Sequence, residues 1–461
     1  MSLIIPANTL ASGGFSVDNS CRFDDGSSTQ MNKTISSTST TWTFSCWIKL
    51  NPTGTNQYLA SWDMGGGEAL GIGIEASTNQ LFIYTSATGQ APKLYDGKLR
   101  DPSAWMNIVI KNSSGTITSY INGTQAKTSI TGTALASGTL RIGCYTGSNY
   151  FYDGYMAEVV LIDGTAYSAD SFGEFDSDSN IWKPINVSGL TFGSDGFYLD
   201  FKDSANLGND ANGGTDLTEV NLAAIDQTTD TPTNNFATMN PLWRYYISGD
   251  FSDGNLTIAN NTSFKPTPPT IAPSSGKWYM EAKAISGTDT KWWFGIADQE
   301  YSDTFQNLSS GNYVYGVDPA TSSVNERMQS VYNNILYVNG TSTVTGFFSS
   351  GGISAGDIAM LAVDLDNQKI WYGKNGVWNN GAGTESTTLD VSNPDSTSIT
   401  SGRNYYINTG ADDCGWSVNY GNPPYTISSG NTDGNDRGNF EYAVPSGYLS
   451  LCTANLSEVL G

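Results

Sequence analysis

TWTFSCWIKL, residues 41–50, alternates Trp42, Phe44, Cys46 and Ile48 with Thr43, Ser45, Trp47 and Lys49. Period-two alternation puts successive side chains on opposite faces of an extended chain, so the stretch predicts a strand with one face buried. QLFIYTS (80–86), MNIVIKN (106–112), TITSYINGTQ (116–125), TLRIGCY (139–145) and YMAEVVLIDG (155–164) carry the same texture, separated by Gly, Asn and Ser clusters. The pair Asn122-Gly123 predicts a two-residue hairpin turn, because both residues tolerate the positive φ that such a turn requires. No helix longer than two turns is expected.

The texture breaks at DQTTDTPTNNFATMNP (226–241), which is polar, contains two prolines and lacks periodicity. Residues 229–241 are therefore expected to be a linker. A second set of strand-like stretches follows, including LWRYYIS (242–248), NLTIAN (255–260), KWYMEAKAI (277–285), KWWFGIAD (291–298), NYVYGVD (312–318), SVYNNILYVNG (330–340), DIAMLAVDLDNQKIWYGKNGVW (357–378), NYYINTG (404–410) and YLSLCTAN (448–455). Asp366-Asn367-Gln368 and Lys374-Asn375-Gly376 read as turns. The predicted organisation is an all-β chain of two antiparallel sandwiches in tandem, 1–228 and 242–461. A length of 461 residues agrees, since a single core stops growing at about 250–300 residues.

Composition narrows the function. The chain has 21 basic and 44 acidic residues, a formal charge of −23. No Lys/Arg cluster is present to displace phosphate counterions, so nucleic acid is not an expected partner. An anionic membrane would repel the chain, and no stretch of about 18 apolar residues predicts a span. Histidine is absent, which removes Ser-His-Asp and Cys-His catalysis and imidazole metal sites. Cys21, Cys46, Cys144, Cys414 and Cys452 are odd in number and widely spaced, with no CxxC, so they read as buried free thiols. Met1–Pro6 lacks a basic and then apolar leader, so export through a signal peptide is not expected. Met64-Gly65-Gly66-Gly67 lacks the Lys-Ser/Thr of a phosphate loop.

Both halves resemble known families. SVDNSCRFDDGSS (16–28), TWTFSCWIKL (41–50), DPSAWMNIVI (101–110), YINGT (120–124), YFYDGYMAEVVLIDGTAYSADSFGEFDSDSNIWKP (150–184), GSDGFYLDFKDSANLGND (193–210) and TDTPTNNFAT (229–238) occur in the order seen in concanavalin A-like lectin/glucanase, laminin-G-like jelly rolls of marine bacteriophage genomes. SSGKWYMEAKA (274–284), WFGIAD (293–298), GDIAMLAVDLDNQKIWYGKNGVW (356–378) and VPSGYLSLCTANL (444–456) make the second half similar to SPRY-type sandwiches; 299–350 match weakly. The resemblance implies a jelly roll followed by a SPRY-like domain. It also implies a non-enzymatic virion surface protein, made in the host cytoplasm and placed on a tail fibre, tail tip or capsid. Its implied partners are other virion proteins and a host-surface glycan, with a homotrimer by analogy. A carbohydrate-binding adhesin outside a virus and a glucanase are the rival readings.

Sugar recognition needs open aromatic faces beside hydrogen-bonding groups. Trp62, Asp63, Tyr150, Tyr152, Asp153, Trp292, Trp293 and Tyr425 are the candidates. Trp292 and Trp293 are adjacent, so only one is expected to point inward on a strand. Hydrolysis needs a carboxylate pair. Glu174-Phe175-Asp176-Ser177-Asp178 reads instead as a loop, and Glu158 and Asp163, five residues apart, fall on opposite faces of an ideal strand. No catalytic residue and no metal ligand is therefore assigned. Calcium is the one cofactor the composition admits, at Asp176/Asp178, Asp203/Asp210 or Asp412/Asp413, although no DxDxDG run occurs.

Overall fold

The structure is a computed structural model. It describes residues 14–52, 54–65, 68–86, 89, 91–147, 149–242, 251–261, 265–285, 291–299, 328–338, 341–381, 384–412 and 414–460. The N-terminal strands are β1 (Ser20–Phe23), β2 (Gln30–Ile35), β3 (Trp42–Leu50), β4 (Gln57–Gly65), β5 (Glu68–Ile74), β6 (Leu81–Thr85), β7 (Met106–Ser113), β8 (Thr116–Ile121), β9 (Thr124–Thr131), β10 (Gly138–Ile142) and β11 (Gly154–Asp163); the expected period-two stretches fall on β3, β6, β7, β8, β10 and β11, whereas β1, β2, β4, β5 and most of β9 are additional. Asn122 and Gly123, at φ of 46° and 74°, make the expected turn between β8 and β9.

The chain divides into two compact units, residues 7–235 with 252–254, and residues 236–251 with 255–461. In the N-terminal unit one antiparallel sheet runs Gln227–Thr228, β1, β11, β3, β7, β8, β9, with Phe197–Leu199 also paired to β11. The other runs Thr218–Val220, β2, β10, β4, β5, β6. Between them lies a core that includes Phe44, Ile48, Trp62, Leu70, Ile72, Ile83, Leu140 and Val159.

The expectation of one buried face for residues 41–50 is corrected, because all nine residues of β3 are buried. Trp42, Phe44, Cys46 and Ile48 face the sandwich core, while Trp47 joins a separate apolar layer with Trp105, Val160, Phe172, Trp182 and Tyr198. Residues after β11 fold back over the outer face of that sheet and roof it. A lysine under a roof must be paired. Lys49 Nζ donates to Asp230 Oδ2 at 2.7 Å and to Asn235 Oδ1 at 2.7 Å. Asp230 Oδ1 accepts from Trp105 Nε1 at 2.9 Å, and Asn235 Nδ2 donates to the Ser103 carbonyl at 2.7 Å.

This network also corrects the linker expectation. Residues 229–235 are part of the N-terminal unit. Phe236, Ala237 and Met239 are fully buried in the other unit, where the Ala237 amide donates to the Leu451 carbonyl. A polar, aperiodic sequence marks absence of regular structure, not absence of packing.

The C-terminal unit is a second pair of sheets, antiparallel except where Leu449–Ser450 joins parallel to Trp278–Tyr279. Lys277–Ile285 lies between Ile358–Asp364 and Cys414–Asn419 in one, and Lys291–Asp298 lies between Met328–Tyr332 and Tyr405–Asp412 in the other. Asn375 and Gly376, at φ of 50° and 82°, form the expected turn after Lys374. The stretch 448–455, expected as a strand, holds only Leu449–Ser450 in strand form before the helix Thr453–Leu460 begins. LWRYYIS beyond Leu242 and NYVYGVD lie outside the described residues. All five cysteines are buried free thiols. No described helix is long and apolar enough to cross a membrane.

Candidate functional site

The sheet of β2, β10, β4, β5 and β6 has an outer face of different character. Directly paired residues share a face. The register pairs Arg141 with Ser61 and Asn32, Thr139 with Asp63, Ser61 with Gly71, Tyr58 with Gly73, Gly71 with Tyr84, and Gly73 with Phe82. Their strand neighbours Leu70, Ile72, Leu81, Ile83, Leu140 and Trp62 fill the core. Tyr58, Phe82 and Tyr84 therefore point outward, and none belongs to an apolar core cluster.

The loop between β10 and β11 adds Tyr145 and Tyr150 to this face. Tyr145 packs 4.6 Å from Tyr58 and 5.7 Å from Tyr84 between ring centres; Tyr150 lies 6.1 Å from Tyr58 and 6.4 Å from Tyr145. Phe82 stands edge-on to Tyr58 at 5.4 Å. Tyr58 and Phe82 are buried beneath the others, Tyr84 and Tyr145 are half-buried, and Tyr150 is 50% exposed. Gly71 gives the rings their seat: a Cβ there would meet the Tyr58 ring at 2.6 Å and the Tyr145 ring at 3.2 Å. Beside the aromatic end lie half-buried Asp63, Arg141 and Asn32, with Arg141 Nη1 and Asn32 Oδ1 hydrogen-bonded to nothing in the protein. The arrangement is an aromatic platform flanked by donors and acceptors, the chemistry that takes a sugar ring by its C–H face and its hydroxyls.

Of the eight candidates, Asp63 and Tyr150 lie on this face. Trp62, one residue from Asp63, is in the core 5.9 Å from Trp42. Tyr152 is buried, its hydroxyl donating to the Lys49 carbonyl at 3.0 Å. Asp153 is buried in an acidic cluster with Asp24 and Asp25. Both Trp292 and Trp293 are buried, so neither presents an open ring face. Trp292 edges a cavity of about 210 Å³ and donates to the Gly415 carbonyl. Trp293 sits over Gly410, where a Cβ would meet its ring at 2.1 Å. Tyr425 is half-buried, its hydroxyl turned inward and its ring 5.5 Å from Lys283 Nζ.

Sequence reasoning missed Tyr58, Phe82, Tyr84, Tyr145 and Arg141. The readable signal was EALGIGI (68–74), where Leu70, Ile72 and Ile74 alternate with Gly71 and Gly73, leaving one face of a strand bare.

Gly173–Phe175 is a short strand rather than loop, paired with Trp182–Pro184, and Asp176 closes the turn after it. Asp176 Oδ1 accepts from the Asp178 and Ser179 amides, and Oδ2 takes Lys183. Asp203 accepts the Ala205 amide in a turn, and Asp210 accepts the Asn212 amide locally and the Tyr198 amide from the strand Phe197–Leu199; Asp413 and the Asp412 side chain lie outside the described residues. Glu158 sits at a bulge in β11 with φ of 50°, buried, with Tyr198 donating to it at 2.7 Å. Burial pushes its carboxyl up to about 7.

Residues 23–170 match the model of the concanavalin A-like lectin/glucanases superfamily. No curated protein matches the sequence. Among solved structures, domain 4 of the extracellular arabinanase AbnA from Geobacillus stearothermophilus, in complex with arabinotriose, is similar at 14% identity and a TM-score of 0.26, over 29% of this chain and 64% of that one. The SAP-like pentraxin of Limulus polyphemus is similar at 13% identity and a TM-score of 0.29, over 40% and 93%. The SPRY domain of human HERC1 is similar at 13% identity and a TM-score of 0.25, over 35% and 87%. The chain spans less than two thirds of the arabinanase domain's structure.

Proposed function

We propose that the N-terminal unit is a non-catalytic glycan-binding module that uses the outer face of the β2, β10, β4, β5, β6 sheet. The observation that carries this reading is the cluster of Tyr84, Tyr145 and Tyr150 around the buried Tyr58 ring, with Tyr58 and Tyr145 seated over Gly71 and none of the four in a core cluster. The lectin/glucanase family matched over residues 23–170 agrees with it. Binding is favoured over hydrolysis because Asp63 is the one carboxylate among the described side chains pointing out from these strands, and a glycosidase needs two. A net charge of −23 favours neutral over polyanionic sugars.

The test is a glycan array followed by calorimetry on the full chain and on Tyr150→Ala and Tyr145→Ala. Loss of a stacking ring is expected to weaken binding by about 2 kcal/mol, roughly thirtyfold, without altering the melting curve. No binding to any neutral sugar, or binding that both variants leave intact, would remove the reading. Attachment at the surface of a phage particle, as a fibre, tip or decoration protein in trimeric form, rests on the sequence resemblance alone. Its check is whether purified particles contain the chain at fixed copy number.

A further inference from the structure

A row of directly paired residues crosses the platform sheet: Thr218, Asn32, Arg141, Ser61, Gly71 and Tyr84. Paired residues share a face, so Arg141 and Asn32 stand on the same outer face as the tyrosine rings. Arg141 is two strands from Gly71, the seat of Tyr58 and Tyr145. At a strand spacing of about 4.8 Å that separation is about 10 Å, enough for neighbouring rings of one oligosaccharide.

Other cations of this unit have carboxylate partners: Lys49 pairs with Asp230, Lys93 with Glu75 and Lys183 with Asp176. Arg141 does not. It is half-buried, its Nη1 is buried, and its guanidinium makes no hydrogen bond and no ion pair among the described residues. Asp63 lies one row away, opposite Thr139, and is not ion-paired with it; Asp63 Oδ1 accepts the Gly65 amide at 3.2 Å. Asn32 Oδ1, on the residue directly opposite Arg141, is likewise buried and accepts no hydrogen bond.

A guanidinium drawn partly out of water without an acceptor costs free energy that a bound anion would recover. Its donors form a planar fork, which matches the two coplanar oxygens of a carboxylate. Asn32 Oδ1 calls for a donor beside that carboxylate. A hexuronic acid presents both, its carboxylate and a hydroxyl on the neighbouring ring carbon. A single cation in a chain of net charge −23 suits one carboxylate and opposes a densely anionic polymer.

We infer that Arg141, assisted by Asn32, is the specificity-determining residue of this face and takes the carboxylate of one uronic acid set in an otherwise neutral oligosaccharide. The inference rests on the glycan-binding reading above and adds to it the charge of the ligand.

The experiment is calorimetry on the full chain with matched probes. Glucose-, mannose- and galactose-based trisaccharides are each compared with the form in which one ring is the hexuronic acid and the form in which one ring carries a sulfate ester. The uronic acid form is expected to bind roughly tenfold or more tightly than its neutral parent, the strength of a hydrogen bond between charged groups. That preference should shrink as salt is raised. It should vanish in Arg141→Gln and return in part in Arg141→Lys, which keeps the charge and loses the fork. Arg141 bonds to nothing in the described protein, so both variants are expected to melt with the parent chain. A neutral parent bound as tightly as its uronic acid form overturns the inference and leaves the glycan reading standing. A preference that Arg141→Gln leaves intact, or tighter binding of the sulfate ester, overturns it equally. Uronic acid binding that needs Arg141 but survives Tyr145→Ala and Tyr150→Ala upholds the Arg141 site and removes the tyrosine platform. Absence of binding by every probe removes both.

Discussion

The two outer faces of the N-terminal sandwich are built from similar strands and meet opposite fates. On the β3, β7, β11 sheet, Trp47, Val109, Tyr155 and Val160 lie under a second layer that brings Phe172, Trp182 and Tyr198. On the β10, β4, β5 sheet, Tyr58 is buried among Phe82, Tyr145 and Tyr150, while Tyr84 and Tyr145 stay half-buried and Tyr150 is exposed, with no second apolar layer over them among the described residues. Period-two alternation tells which residues share a face but not what the chain later lays over that face. An aromatic side chain becomes a binding candidate only where no roof arrives.

The largest expected effect comes from breaking the roof. Asp230→Ala leaves the Lys49 ammonium buried without its carboxylate, and removal of one partner from a buried pair costs about 3–5 kcal/mol. Denaturant unfolding of the full chain should show that loss, and Lys49→Met in the same chain should recover most of it. Partly buried Lys127, paired with exposed Asp96, provides the contrast, since Lys127→Ala should change stability by about 1 kcal/mol or less. A small loss in Asp230→Ala would mean that residues 229–235 are the loose linker their composition suggests.

Glycine substitutions sharpen the comparison with a smaller effect. Gly173 lies beneath Trp182, where a Cβ would meet the indole at 2.5 Å, and that indole is held by a hydrogen bond to Asn107 Oδ1 at 3.1 Å. Gly173→Ala is expected to cost about 1–3 kcal/mol, because overpacking under a fixed ring has no outlet. Gly71→Ala pushes instead on Tyr58 and Tyr145, on a face that opens to solvent. It should disturb stability less than Gly173→Ala while weakening sugar binding by displacing the platform. Equal destabilisation of both variants would show that the open face is as tightly packed as the roofed one.

The all-β class, the strands at β3, β6, β7, β8, β10 and β11, the Asn122-Gly123 turn and the existence of two sandwiches were legible because each is set by local pattern, whereas β1, β2, β4 and β5 carry too little of that pattern to be read. Trp62 was misplaced because a bulge between Tyr58 and Ala60 shifts the alternation in β4, putting Tyr58 outside and Trp62 inside. The acidic cluster was invisible for another reason. Asp24-Asp25 and Asp153 are remote in sequence, and only the pairing of β1 with β11 joins them. In the C-terminal unit, adjacent Trp292 and Trp293 are both buried, and the second ring lies over Gly410 of the neighbouring strand, a placement no single strand reveals.

The smallest expected effect concerns Glu158, which lies under the roof beside Tyr198. Burial raises its carboxyl to about 7, above the ordinary value of 4.5. The folded state therefore binds a proton more readily than the unfolded chain, and stability contributed by this group falls as pH rises. The contribution is complete below about pH 4.5 and is lost by the time pH has passed 7. Glu158→Gln replaces the protonated carboxyl with a neutral group of the same shape that still accepts from the Tyr198 hydroxyl. The variant should match the parent chain at pH 5 and exceed it modestly at pH 8, in melts compared at both values. An unchanged difference between the two chains across that range would mean that Glu158 is already charged under the roof, and that water reaches this face as freely as it reaches the tyrosine platform.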